Sequence, residues 1–205
     1  VDKATFFNAI GQGNELKVVE LLKERPGLIA CRLDGVSPVL YACYLGHFIL
    51  AQELATRVDL DIWEAAALND VEAINRVLDE NAALVSLLAR DGFSPLHLAA
   101  FFGAVEALAL LIEKGADVNL AADNDTAVRP LHSSVAGVSA PLRLSCSGAL
   151  LAAGADVNAK QTGGFTALHG AYHQADEPLI ALLLAHGADA NAKADDGRLP
   201  AEATA

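Results

Sequence analysis

The chain has 205 residues, 53% of them apolar but only 5% aromatic, with a formal charge of −12 and a pI near 4.7. That charge excludes the basic footprint needed on a nucleic-acid backbone and disfavours an anionic membrane surface, and no apolar run reaches the ~18 residues of a membrane helix. Cys31, Cys43 and Cys146 are odd in number and in no Cys-x-x-Cys spacing, so neither a disulfide framework nor a zinc site is indicated.

In chain order, residues 1–33 read as a capping pair of helices. Phe6, Phe7 and Ile10 form one apolar face, Gly13-Asn14 a turn, and Val18, Leu21 and Leu22 the stripe of a second helix that Pro26-Gly27 stops. Residues 34–61 open with Gly35-Val36-Ser37-Pro38, where a hydroxyl at the N-cap and a proline at the first helical position start a short helix. Residues 62–90 lack that opening and go straight into Ile62-Trp63-Glu64-Ala65-Ala66. Shifted by about 56 residues, they fall on the first unit, with Ile74 on Val18 and Val77-Leu78 on Leu21-Leu22.

Residues 91–122 are the best-formed unit. Ser94-Pro95 starts a helix bearing Leu96, Ala99 and Ala100, Gly103 stops it, and Val105, Leu108, Leu111 and Ile112 follow at helical period as far as Gly115. Residues 123–160 repeat this from Arg129-Pro130, with extra residues before Pro130 and about four more in GVSAPLRLSC, where Pro141 should end any helix running from Pro130. Residues 161–194 give a regular unit from Thr166-Ala167, and residues 195–205 begin another that serves as a C-terminal cap. The first two turn glycines, Gly35 and Gly92, lie roughly 57 residues apart; later starts recur at roughly 33 to 37.

One helix pair buries a single face of each helix, so such units must stack into a continuous core. The Ser-Pro-Leu-His, Arg-Pro-Leu-His and Thr-Ala-Leu-His starts at 94–97, 129–132 and 166–169, with Gly-Ala-Asp-x-Asn endings at 115–119, 154–158 and 187–191, resemble ankyrin repeats. The resemblance covers essentially the whole chain as about six repeats and a short cap, and its Ala-rich composition suggests the bacterial type. It implies one all-α solenoid domain of stacked helix-turn-helix units joined by short β-hairpin connections.

It also implies that His97, His132 and His169 tie neighbouring turns together and are not catalytic. His169 and His173 share a helical face at i and i+4, but Gly170 replaces the acid of a metallopeptidase pair and no third ligand is near in sequence, so no metal is expected. Arg129 replaces a capping hydroxyl, which weakens that helix start by about 1 kcal/mol. Cys43 matches the small position held by Ala100 and reads as a core thiol.

The resemblance leaves the concave face, made of turn tips and first helices, as the place of recognition. Its residues here are Val36, Tyr44, Leu45, Phe93, Phe101, Phe102, Val128, Phe165, His173 and Gln174. Adjacent Phe101 and Phe102 cannot both enter one core, so at least one should be exposed or half exposed. The expected function is a non-catalytic interaction scaffold, with no cofactor, binding a protein partner of basic character as a monomer. The alternative is a small-molecule binder or hydrolase using residues 123–146, with His132 beside Ser133 or Ser134. A cytoplasmic location is expected, with room for a trimmed segment before Val1, since the chain contains no methionine.

Overall fold

In the computed structural model, which describes residues 2–203, short helices alternate with tight turns from end to end. The first pair is α1 (Lys3–Gly11) and α2 (Glu15–Glu24), the second α3 (Pro38–Tyr44) and α4 (Phe48–Ala55), and the third α5 (Ile62–Ala67) and α6 (Val71–Glu80). Next come α7 (Pro95–Phe102) with α8 (Val105–Glu113), α9 (Pro130–Val135) with α10 (Ala140–Ala152), and α11 (Ala167–His173) with α12 (Glu177–Ala185). A 3-10 turn, Pro200–Glu202, packs on α11.

The odd-numbered helices form one layer, each packed on the next from α1 through α11. Helices α6, α8, α10 and α12 form a second layer behind them. Between the layers one apolar cluster runs from Phe6 to Leu183. Within it Leu96, Leu108 and Leu111 are fully buried, each contributing about 1.5–3 kcal/mol through removal from water.

Several starts are capped by the chemistry their sequence supplies. Ser94 Oγ accepts from the His97 amide at 3.4 Å, and Ser37 Oγ accepts from the Leu40 amide at 3.2 Å. Asp61 and Glu64 form a reciprocal capping box, both bonds at 2.9 Å, so α5 starts without a Ser-Pro opening. Arg129 offers no acceptor to its helix.

Two expectations are corrected. The β-hairpin connections are not formed: among the described residues there is no strand, only an isolated antiparallel bridge between Leu33 and Val36. In the later turns Ala89 N–H reaches Phe93 O at 2.8 Å and Gln161 N–H reaches Phe165 O at 2.9 Å, each around an inner bond (Gly92 N–H to Ala89 O and Gly164 N–H to Gln161 O, both 3.0 Å), and the next residue is already an N-cap. No length remains for a second rung. Tips instead bond back to the preceding tip, as Asp123 N–H does to Gly92 O at 3.0 Å and Thr162 N–H to Thr126 O at 2.9 Å.

The second correction concerns Pro141. It does not end α9, which stops at Val135; it lies in the first turn of α10, where its missing N–H has no helical acceptor to lose. The additional residues therefore lengthen α10 at its start. Arg143 on that added turn pairs with Asp176 at 3.0 Å, both nearly buried, and donates to Gly137 O at 3.1 Å. No helix among the described residues is long and apolar enough to cross a membrane.

Candidate functional site

The three motif histidines share one bonding arrangement. In each, the amide three residues earlier donates to Nδ1: Ser94 at 3.2 Å, Arg129 at 3.1 Å and Thr166 at 3.1 Å. Nδ1 is thus an acceptor, so the proton sits on Nε2. From there it reaches a carbonyl in the following turn: Val128 O at 3.1 Å, Ala159 O at 3.1 Å and Arg198 O at 3.3 Å. Burial holds His97 and His132 neutral by pushing both down to about 4.

This arrangement removes the base from the hydrolase alternative. Both His132 nitrogens are occupied by backbone, and Ser134 Oγ donates to Leu131 O at 2.8 Å and meets Ser147 Oγ at 2.8 Å. Neither serine is paired with the histidine, so no nucleophile is activated. His169 is likewise engaged while His173 is exposed, and no group of three or more His, Cys, Asp or Glu among the described residues could hold a metal ion.

Three hollows among the described residues lie on the surface formed by the first helices and turn tips. The most apolar, about 240 Å³, is lined by Tyr44, Phe93, Leu98, Phe101, Val128 and Ala136, with His97, His132, Thr126, Ser133 and Gln161 completing it. Its shape follows from the repeat register, because Phe93 and Val128 hold equivalent places and the equivalent of Phe101 one unit later is Ala136. A methyl group facing a phenyl ring leaves the space open.

A second hollow of about 350 Å³ adjoins it, sharing His132, Ala136 and Gln161, and adds Phe165, His173, Gln174 and Arg198. There the Arg198 guanidinium lies 5.3 Å from the Phe165 ring centroid. Val36 belongs to a separate hollow of about 290 Å³ with Arg32, Asp61, Trp63 and Arg90. Leu45 is 43% exposed and lines none of the three.

The two phenylalanines divide. Phe102 turns inward, 7% exposed, against Tyr44 at 5.6 Å and Phe48 at 6.1 Å, and acts as a packing residue. Phe101 stays half buried on the hollow, edge-on to Phe102 at 5.1 Å. Tyr44 donates to Asp91 at 2.9 Å; burial, then the Asp91 charge, push its hydroxyl far above the usual range, so it remains a donor. Leu98, Ala136 and Gln161 were not singled out from sequence. Shifting Phe101 by one repeat would have found Ala136.

A description of ankyrin repeats in three copies matches residues 6–122 and, overlapping, 62–194. The chain belongs to the ankyrin-repeat family. This ankyrin-repeat chain is 42% identical over 104 residues to the chicken (Gallus gallus) nuclear factor NF-kappa-B p105 subunit, covering 50% of the chain and 10% of that protein. It is 31% identical over 131 residues to the rat (Rattus norvegicus) ankyrin repeat and SAM domain-containing protein 6, covering 60% of the chain and 14% of that protein. It is also 38% identical over 94 residues to the mouse (Mus musculus) B-cell lymphoma 3 protein homolog, covering 46% and 20%. The ankyrin-repeat chain thus spans between a tenth and a fifth of these relatives. They are animal proteins, and they give the expected bacterial type no support.

Proposed function

We propose that this chain is a non-catalytic scaffold that binds a protein partner through the concave face of its stacked helices. The observation that carries the reading is the pair of adjoining hollows, to which Phe93 and Phe101, Val128, and Phe165 come from three successive repeats, joined by Tyr44 from the second unit. A row of aromatic and aliphatic groups on a preformed surface provides anchors without a large ordering cost. The formal charge of −12 favours a partner of basic character. The chain acts as a monomer in a cytoplasmic setting on this reading.

Affinity capture with surface variants tests it. Val128→Lys and His173→Glu alter the concave face, while Leu184→Ser alters an exposed site on α12. A stoichiometric protein retained by Leu184→Ser and lost by both concave variants supports the reading; loss only with Leu184→Ser refutes it.

A further inference from the structure

The apolar hollow beside Phe101 has a size, a lining and a charge setting that together define an occupant. At about 240 Å³ it is below the 300–1,000 Å³ typical of small-molecule and cofactor sites, which suits one or two inserted side chains. Its lining is mainly aromatic and aliphatic carbon, and the two histidines in it spend their polar atoms on backbone.

The tips that frame it carry three carboxylates, Asp91, Asp123 and Asp125, with no ion pair among the described residues. Asp91 is bonded to the lining residue Tyr44 but itself lines the separate hollow with Arg32 and Arg90, whereas Asp125 directly precedes the lining residue Thr126. The nearby cations are directed elsewhere. Arg90 leans its side chain over Gly35 and lines the separate hollow near Asp61, Arg129 donates to Asn119 O at 3.0 Å, and Lys160 donates to Lys193 O at 2.8 Å. An apolar hollow with a negative rim results.

We infer that this hollow receives one bulky apolar side chain of an extended peptide segment carrying lysine or arginine next to that anchor. The anchor enters between Phe93, Phe101, Val128 and Ala136, and the cation meets the carboxylates at Asp123 and Asp125. The inference rests on the concave-face reading and narrows it to a linear basic motif.

The test is selection of random 12-residue peptides against the whole chain, followed by binding of fluorescently labelled synthetic peptides. Selected sequences should share a large aliphatic or aromatic residue with Lys or Arg within a few positions. Replacing the anchor by Ala should weaken binding about 30-fold, as loss of a buried side chain worth about 2 kcal/mol would. Ala136→Leu, at an exposed helix end, fills the hollow and should abolish binding; Asp123→Lys with Asp125→Lys should weaken it about tenfold and flatten its salt dependence.

Selected peptides with acidic flanks or no anchor overturn the inference, as does failure to select any peptide. So does concentration-dependent dimerisation of the chain that Ala136→Leu removes, because the occupant is then a second copy. If peptides of another pattern are displaced by Val128→Lys or His173→Glu, the concave-face reading stands without the basic motif. If bound peptides ignore every concave substitution, both fall.

Discussion

Stability between pH 7.5 and 5.5 should be governed largely by His97 and His132. Each folded-state value lies near 4 against 6.5 for the free side chain, so between those limits the unfolded chain binds protons that the folded chain refuses. Stability is therefore complete above about 6.5 and is lost as pH falls towards 4. At pH 5.5 the unfolded histidine is about nine-tenths protonated, and linkage gives a loss of about 1.4 kcal/mol for each ring relative to pH 7.5, about 3 kcal/mol for the pair. Glu64 works in the opposite sense, since burial raises its carboxyl above the ordinary value, and comparison with a variant cancels its effect. Urea unfolding followed by circular dichroism, for the parent and for His97→Gln/His132→Gln at both pH values, gives the difference directly. The variant should be less stable throughout but should lose about 3 kcal/mol less on acidification. An equal acid loss in both proteins would refute the assignment of neutral, Nδ1-accepting rings.

Arg143→Ala should cost about 3–5 kcal/mol in chemical denaturation because it strands the buried Asp176 carboxylate, whereas removing the exposed Lys17 partner of Glu20 should cost under about 1 kcal/mol. Gly92→Ala should destabilise by more than Gly115→Ala: both have φ near +90°, but only at Gly92 would the new methyl collide with the Asp123 carbonyl, and thermal melts of the two variants measure the gap. In thiol titration of the folded protein Cys31 should react first. Burial pushes Cys43 up to about 12 and Cys146 up to about 11, so all three reacting at one rate would contradict their placement.

Much of the fold was legible because its signals are local. Ser94-Pro95 specifies a helix start by one hydroxyl and one ring, and α7 begins at Pro95. The histidine links were expected from the family resemblance, and the ring geometry supplies them. The absence of the expected hairpins was not legible, since strand formation depends on how many residues separate a turn from the next N-cap in space. Pro141 misled for a related reason: proline stops one helix and opens another with equal ease, and only the packing of Arg143 on Asp176 decides between them. For the concave face, sequence indicated that Phe101 and Phe102 must part but not which turns inward. That choice was made by Tyr44 and Phe48, some fifty residues earlier in the chain. The hollow itself depends on an absence of bulk at Ala136, which composition and motif scanning pass over.

The joints between successive units are asymmetric in kind. His47 runs back along the chain, to Gly11 O at 3.3 Å, but in the three motif-histidine links the side chain comes earlier in the chain and the receiving group is a main-chain carbonyl of the following turn: Val128, Ala159, Arg198. Asn119 and Asn158 do likewise, clasping the backbone of Gly154 and Asp156, then of Gly187 and Asp189. At these bonds the receiver contributes only peptide groups, so they are blind to the side chains they meet, unlike the side-chain pairs Arg143–Asp176 and Asn69–Glu106. Outward residues that take no part in the side-chain pairs can therefore vary while the spine stays continuous, so recognition can diversify without renegotiating the architecture that supports it.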